Sequence, residues 1–346
     1  MAILAKIFLS GFNIAMNISI SNNYASPNFT GYKSVFGKKL EKALATPKIT
    51  RQCESRLLDD FADMYDKKVH PDKKIGSGFY GTVYKIDDYY VLKRGNEKLE
   101  PEFGGIEVSK KGKFSGLKHY FGEAIATIFN NNGEDMIIMK NVYSKGKSVP
   151  VGIPDDFAAK HTKDECMKYY NEIYLPKFAS LPQKSFDGIA EDFAQLNAMG
   201  KKGQYYTFDY VNPNNFVLAG KTLRILDEIY EHGIKTKNCV TDMIEVFLNR
   251  MDLDTDAVFD EKLINKRRSL AKKIILAGAK HKVPMYQNNS DLESWDTTLN
   301  TLLELNISKK SLKNIVKFID KIVSNNNNPK KRTELVKQYL ENTVGL

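Results

Sequence analysis

Two short hydrophobic stretches, separated by two polar residues, lie near residue 85. They cover residues 82–86 and 89–92, are rich in β-branched and aromatic side chains, and flank Asp87-Asp88. Aspartate is favoured in tight turns, so this pattern predicts two strands joined at that pair. The apolar run over residues 136–139 predicts a further, buried strand. Residues 82–92 and 136–139 therefore have the pattern of strands in a β-sheet.

Helical spacing of apolar residues dominates elsewhere. Residues 38–67 are predicted to form one or two helices, and residues 155–178 a polar helical stretch. In residues 120–129, Phe121, Ile125 and Ile128 share one helical face. Further helices are predicted over 186–199, 241–249, 262–279, 292–305, 309–323 and 330–342, with a loop at 325–329 that caps the last one. These patterns predict an α+β fold with a small β-rich N-terminal part and a helical C-terminal part.

A glycine pattern precedes the first hydrophobic stretch and continues into it. Its members are Gly76, Ser77, Gly78, Phe79, Tyr80, Gly81 and Val83. Glycines suit a turn that covers phosphates, because side chains would hold the backbone N–H groups away from the ligand. An ordinary hairpin turn is the alternative, and dinucleotide-binding loops share GxGxxG. Those loops run into a helix, whereas strands are predicted here.

Lys93 ends the second hydrophobic stretch, twelve residues after Gly81. A lysine at a strand end is most often solvated. With the glycine pattern upstream, its position favours contact with the α- and β-phosphates of a nucleotide. The run 136–139 leads into a predicted hinge at residues 140–142, so Met139 is expected to lie against the adenine.

A second polar group consists of Asp209, Asn214 and Asp227, the last two lying five and eighteen residues after Asp209. A predicted hairpin, with strands at 216–218 and 223–226, leads into Asp227. In this order Asp209 would accept the proton of an attacking hydroxyl, and Asn214 and Asp227 would hold Mg²⁺. The alternative is a polar turn over 212–215; the five-residue spacing favours Asn214 over Asn215 as the ligand.

These motifs resemble the protein-kinase-like superfamily over about residues 71–244, roughly half of the chain. The short region after Asp227 looks most like the compact effector kinases that enteric pathogens inject into host cells (the OspG and NleH type). The resemblance implies a bilobal fold with extra C-terminal helices, ATP and Mg²⁺ as cofactors, and transfer to Ser or Thr hydroxyls of a host protein. It also implies a glutamate paired with Lys93, for which Glu123 is the first candidate and Glu107 its competitor.

The chain departs from the family pattern at three places. The usual His-Arg-Asp is Thr207-Phe208-Asp209, and the usual Asp-Phe-Gly is Asp227-Glu228-Ile229. No Ala-Pro-Glu follows, and a helix is predicted from about residue 238. Little room is left for a regulated activation loop, so we expect an activity that loop phosphorylation does not control. Substrate docking is also in doubt, because kinases hold their peptide at that segment.

Composition narrows the remaining classes. The formal net charge of the 346-residue chain is +10 and its pI is near 9.1. Because the lysines are spread, solvated helix faces explain most of the charge. Nucleic acid is not expected as a partner, whereas an acidic activating protein or peripheral contact with an anionic membrane stays open. Cys53, Cys166 and Cys239 match no zinc spacing, and their odd number argues for a reducing compartment.

Residues 1–37 are predicted to be a flexible N-terminal segment. Lys6, Ser10 and Gly11 interrupt its apolar start, which argues against a transmembrane span. Its Ser- and Asn-rich continuation resembles the start of injected effectors and implies secretion into the host cytoplasm. The predicted domains that follow are an N-terminal extension with the N-lobe (38–140), the catalytic core of the C-lobe (141–250) and a helical C-terminal region (251–346).

Three other functions remain open beside an ATP- and Mg²⁺-dependent Ser/Thr protein kinase. A pseudokinase binding module would use the fold without transfer, and the altered signatures at 207–209 and 227–229 favour it. A small-molecule kinase shares Asp-x-x-x-x-Asn, although such enzymes usually have His where Thr207 stands. The third alternative is transfer of another group from ATP, such as adenylyl.

Overall fold

The computed structural model describes residues 31–68, 74–78, 81–95, 100–109, 113–114, 116–142, 148–150, 158–201, 203–208, 215–226, 228–233, 235–248, 261–286 and 308–346. The chain divides into two compact units. The first contains the described residues up to 116 and from 121 to 148; the second contains 117–120, 149–150 and the described residues from 158 onward. A sheet dominates the first unit and helices the C-terminal part, so the predicted α+β class is confirmed.

Six antiparallel strands form the sheet of the first unit. They are β1 (Lys74–Gly78), β2 (Gly81–Lys85), β3 (Tyr90–Arg94), β4 (Phe103–Val108), β5 (Ala126–Asn130) and β6 (Met136–Lys140). Their spatial order is β1-β2-β3-β6-β5-β4. The predicted turn at Asp87-Asp88 joins β2 to β3, and β6 is the predicted buried strand, so both predictions are confirmed.

The helix predicted over residues 120–129 is wrong. Phe121 to Ile125 form an irregular segment, and β5 begins at Ala126. β5 pairs with β4 on one side and β6 on the other. Ala126 and Ile128 are fully buried on one face, which is the two-residue period of a strand. Pairing with two neighbours therefore outweighs the helical spacing of the apolar residues.

Helices α1 (Val35–Ala45) and α2 (Arg51–Lys68) cover one face of this sheet. Both lie in the region where one or two helices were predicted. The residues they bury against the strands include Phe36, Leu40, Phe61, Leu92, Ile106, Ile128 and Ile138. Ser34 caps α1 by accepting a hydrogen bond from the Gly37 N–H. The described end of the segment predicted to be flexible therefore belongs to α1 and its cap, while residues 1–30 lie outside the described residues.

The second unit combines short strands with helices. Its strands are β7 (Ser148–Pro150, of which Ser148 belongs to the first unit), β8 (Tyr205–Thr207), β9 (Phe216–Ala219), β10 (Thr222–Ile225) and β11 (Tyr230–His232). Its helices are α3 (Lys163–Tyr169), which continues through a π-helical turn (Tyr170–Tyr174) into α4 (Leu175–Ala179), then α5 (Gln183–Met199), α6 (Val240–Leu248), α7 (Glu261–His281), α8 (Lys309–Asn325) and α9 (Pro329–Tyr339).

Most predicted elements of this unit are confirmed. The β9–β10 hairpin turns at Gly220, whose φ of +65° suits glycine. Helices α5 to α9 lie where helices were predicted, and Asn328 caps α9 with Pro329 in its first turn. The helix predicted over 292–305 lies outside the described residues. None of the described helices is long and apolar enough to cross a membrane.

Candidate functional site

The glycine pattern forms a hairpin between β1 and β2. Gly78 pairs with Gly81, and Gly76 pairs with Val83. The φ of Gly81 is +148°, and a Cβ there would lie 2.3 Å from the carbonyl oxygen of Arg94. Glycine is therefore required at position 81 by the close approach of β3, whatever the hairpin binds. Phe79 and Tyr80 lie outside the described residues.

Lys93 lies on β3, a central strand of the sheet, beside strand β2 of the glycine hairpin. It pairs with Val83 on β2 and with Ile137 on β6. Met139 pairs with Val91, which is two residues before Lys93. Because side chains alternate along a strand, these five residues share one face of the sheet. The structure thus brings three predicted site residues, Val83, Lys93 and Met139, onto one half-buried apolar surface.

The neighbouring residue confirms which way Lys93 faces. Arg94 donates a hydrogen bond to the hydroxyl of Tyr65, on α2. Since α2 covers the opposite face of the sheet, Lys93 lies on the face that α1 and α2 leave uncovered. Burial raises the pKa of Tyr65 above the ordinary tyrosine value.

Glu123, the first candidate to pair with Lys93, does not lie on a helix. Glu123 lies in the irregular segment, and its Oε1 accepts a hydrogen bond from the Phe114 N–H at 3.1 Å. Glu107 shares the Lys93 face but lies three strands away, roughly 14 Å at the usual strand spacing. Among the described residues, no carboxylate forms an ion pair with Lys93. The predicted helix that was to carry this pair is absent there.

Asp209, Asn214 and Asp227 lie outside the described residues, but the residues that flank them are held together. Thr207 pairs with Tyr230, and Phe216 pairs with Ile225. The Leu226 N–H donates to the carbonyl oxygen of Asn215 at 2.8 Å. The two stretches that carry the predicted catalytic residues therefore begin and end on paired strands of one unit.

An aromatic core lies under these paired strands. Phe208 is fully buried, and its ring packs edge to face on Phe193 of α5 and on Phe216 of β9, both at 5.5 Å between ring centroids. Phe216 also contacts Phe247 of α6. The residues just before position 209 and just after position 214 thus share one core. Phe208 is therefore a packing residue.

A buried amide fixes the strand that leads to position 209. Asn238 is fully buried; its Nδ2 donates to the Tyr206 carbonyl, and its Oδ1 accepts from the Thr207 hydroxyl, both at 3.0 Å. The Asn238 N–H donates to Asn197 Oδ1, on α5, at 2.8 Å. The end of β8 is thereby tied to α5 and to the start of α6.

A buried carboxylate on α5 holds a distant part of the chain. Asp192 is fully buried and accepts hydrogen bonds from the Lys118 and His119 N–H groups at 3.1 and 2.8 Å. Burial raises the pKa of this carboxyl to about 6, although the two hydrogen bonds act in the other direction. Arg224 donates to the Lys118 carbonyl at 2.8 Å. Burial and the Arg224 charge lower the pKa of His119. Nothing in the sequence pattern singled out Asp192.

Other candidate sites carry less chemistry. Within the described ranges, no three His, Cys, Asp or Glu side chains cluster as metal ligands would, and the predicted ligands Asn214 and Asp227 lie outside those ranges. The three cysteines are free thiols. An open groove of about 650 Å³ between α4 and α7 is lined in part by Ser180, Lys262 and Lys266 and contains none of the predicted site residues.

Comparison with known proteins adds no relative: no family model, no curated protein and no solved structure matches the chain. Function must therefore be argued from the residues and the geometry.

Proposed function

We propose that the chain is an ATP- and Mg²⁺-dependent protein kinase with a bilobal kinase-like fold that phosphorylates Ser or Thr hydroxyls. The observation that carries the proposal is the arrangement of strands around the polar motifs. A glycine hairpin lies beside Lys93 in one sheet. The strand pairs Thr207–Tyr230 and Phe216–Ile225 frame the stretches with Asp209, Asn214 and Asp227.

The uncovered sheet face has the chemistry that a nucleotide requires. Val83, Val91 and Met139 offer apolar surface for a purine ring, and Lys93 is the cation among them. In the proposed complex Lys93 contacts the α- and β-phosphates, while the backbone of the glycine hairpin covers the triphosphate.

The residues on either side of Asp209, Asn214 and Asp227 are fixed by strand pairing, as catalytic groups require. In the proposed reaction Asp209 orients the attacking hydroxyl and accepts its proton, and Asn214 and Asp227 would hold the magnesium, which would neutralise charge on the phosphates. Phe208 and Phe216, on either side of residues 209–214 in the sequence, are in ring contact. Catalysis of phosphoryl transfer depends mainly on such positioning and on charge neutralisation.

A pseudokinase binding module is the second candidate, and one observation favours it. No described carboxylate pairs with Lys93, and the helix expected to supply one is a strand and an irregular segment. A protein of this kind would bind nucleotide, and so gain thermal stability from it, without transferring phosphate.

The proposal is tested by transfer of the labelled γ-phosphate of ATP to protein acceptors. We expect wild-type protein to transfer phosphate, and Lys93→Ala and Asp209→Ala to lose on the order of 100-fold or more of the rate, equivalent to several kcal/mol of barrier. Lys39→Ala is the matched control, because Lys39 lies on α1, on the other side of the sheet, and pairs with Asp60 at 2.5 Å. Equal incorporation by all four proteins contradicts the proposal. Stabilisation by ATP and Mg²⁺ without transfer supports the second candidate instead.

A further inference from the structure

We propose that Asp192 is a positioning residue that holds residues 117–120, called the latch below, against α5. The latch in turn holds the backbone on both sides of position 227. The inference rests on the proposed function, in which Asp227 holds magnesium. It concerns a residue that lies outside the predicted catalytic motifs and acts through the backbone of its neighbours.

The first step of the latch is the carboxylate itself. The two oxygens of Asp192 take one backbone N–H each, Oδ1 from Lys118 and Oδ2 from His119. Residues 117–120 belong to the second unit, although Gly116 and Phe121 on either side of them belong to the first. The carboxylate thus fixes a short segment whose chain neighbours belong elsewhere.

The second step leads from this segment to the strands around position 227. The Ile225 N–H donates to the His119 carbonyl at 2.8 Å, and Tyr120 forms a parallel bridge with Ile225. The Ile229 N–H donates to the Tyr120 hydroxyl at 3.4 Å. Ile225 and Ile229 lie two residues before and two residues after Asp227. The latch therefore holds one backbone N–H on each side of the proposed metal ligand.

The fit of the latch against α5 is tight. Gly188 precedes Asp192 by one helical turn, and a Cβ at Gly188 would lie 2.3 Å from Nε2 of His119. Only glycine lets the imidazole lie this close to the helix.

The charged groups around Asp192 come from several elements that pack near it. Arg224 on β10 donates to the Lys118 carbonyl, and Lys118 forms an ion pair with Glu191 at 2.8 Å. His119 lies on the latch itself, and the His281 charge acts on Glu191. The exposed Lys118–Glu191 pair adds little, so the buried carboxylate is the anchor.

The test compares Asp192→Asn and Tyr120→Phe with a matched control. An asparagine presents only one acceptor oxygen where the carboxylate presents two, and the phenylalanine removes the hydroxyl that accepts from Ile229. Asp320→Asn is the control, because Asp320 is also a buried carboxyl that accepts a backbone N–H, from Met285 at 2.9 Å. It lies on α8, and the backbone N–H that it accepts belongs to Met285, which lies outside residues 225–229.

Two readouts that do not need phosphate transfer decide the inference. Hydrogen–deuterium exchange of the peptide covering residues 225–233 should become about tenfold faster in both latch variants and stay unchanged in Asp320→Asn. The dissociation constant of Mn²⁺, measured by electron paramagnetic resonance with a non-hydrolysable ATP analogue, should rise about tenfold in the same two variants.

The outcomes separate the latch from the proposed function. Unchanged exchange in both latch variants overturns the inference, and so does faster exchange with an unchanged Mn²⁺ dissociation constant or wild-type protein that binds no Mn²⁺. If the wild type binds Mn²⁺ and responds as expected but transfers no phosphate, the positioning role stands and the kinase proposal fails. Should Asp192→Asn not fold, Tyr120→Phe, which loses one hydroxyl, answers both questions.

Discussion

Both units contain an aspartate that is buried among backbone N–H groups, and the two differ in what they hold. Asp87 in the first unit accepts hydrogen bonds from the Ser34 N–H and hydroxyl and from the Tyr89 and Tyr90 N–H groups. Asp192 in the second unit accepts from two N–H groups only. Both side chains are nearly or wholly inaccessible to water. A buried carboxylate that accepts backbone N–H groups therefore occurs in both units, with different partners.

Asp87 joins two structural elements. It ties the cap of α1 to the turn between β2 and β3, and its carbonyl also accepts from the Asn141 side chain at 3.0 Å. Asp192 joins a helix to a segment next to the proposed site, and with two donors the cost of burial is not offset, so its pKa rises to about 6. We infer that Asp87 mainly stabilises the fold of the first unit. Asp192 stabilises the fold less and instead positions the segment next to the proposed site.

The largest effect is expected at Asp87. Asp87→Ala leaves four donors without their acceptor, three of them buried, so we expect the free energy of unfolding to fall by roughly 3–5 kcal/mol. Ser34→Ala, which removes the cap of α1 and one of the four donors to Asp87, should cost about 1–2 kcal/mol. Urea denaturation of both variants measures the difference. If Asp87→Ala cost no more than Ser34→Ala, the view of Asp87 as the junction of these elements would be wrong.

A smaller, pH-dependent effect is expected at Asp192. Its folded pKa of about 6 lies above the ordinary value of 3.8, so the native state holds the proton more tightly than the unfolded chain. The carboxyl therefore favours folding most below pH 4, and this contribution is lost as the pH rises to about 6. Asp192→Asn should remove a fall of roughly 2–3 kcal/mol over that interval.

The measurement at Asp192 is the difference between wild type and variant in urea unfolding at pH 4, 5, 6 and 7. His119 has a lowered pKa and titrates with the opposite effect, as the pH falls, but it is present in both proteins, so the difference isolates Asp192. Parallel pH profiles would show that burial does not raise the Asp192 pKa.

Local patterns predicted the elements whose neighbours are close in sequence. The β2–β3 and β9–β10 hairpins turn at Asp87-Asp88 and near Gly220, and the capping loop before Pro329 has the expected residues. The helix predicted over residues 120–129 is wrong because β5 pairs with β4, which is distant in sequence, and with β6 across a turn. The long-range hydrogen bonds of Asp87, Asp192 and Asn238 could not be predicted, since each joins segments dozens of residues apart.

The candidate site shows the same division. Lys93, Val83 and Met139 were identified by motif, and their common face follows once the strand order is known. The helix expected to carry Glu123 is wrong, because residues 121–125 are irregular and residues 126–130 form β5; the role of Glu123 stays a prediction. The role of Phe208 could not be predicted from the motif alone, since its ring partners Phe193 and Phe216 come from two other elements.

The central claim, that the Lys93 face binds ATP, is tested most directly by an ATP derivative whose acyl phosphate acylates a lysine beside the bound phosphates. We expect mass spectrometry to find the acyl group on Lys93, ATP with Mg²⁺ to suppress the labelling, and Lys39 on α1 to stay unlabelled. Asp209→Ala should be labelled like the wild type, because it removes the proposed base and leaves the lysine in place. An unlabelled Lys93, or labelling that excess ATP does not suppress, would contradict the account.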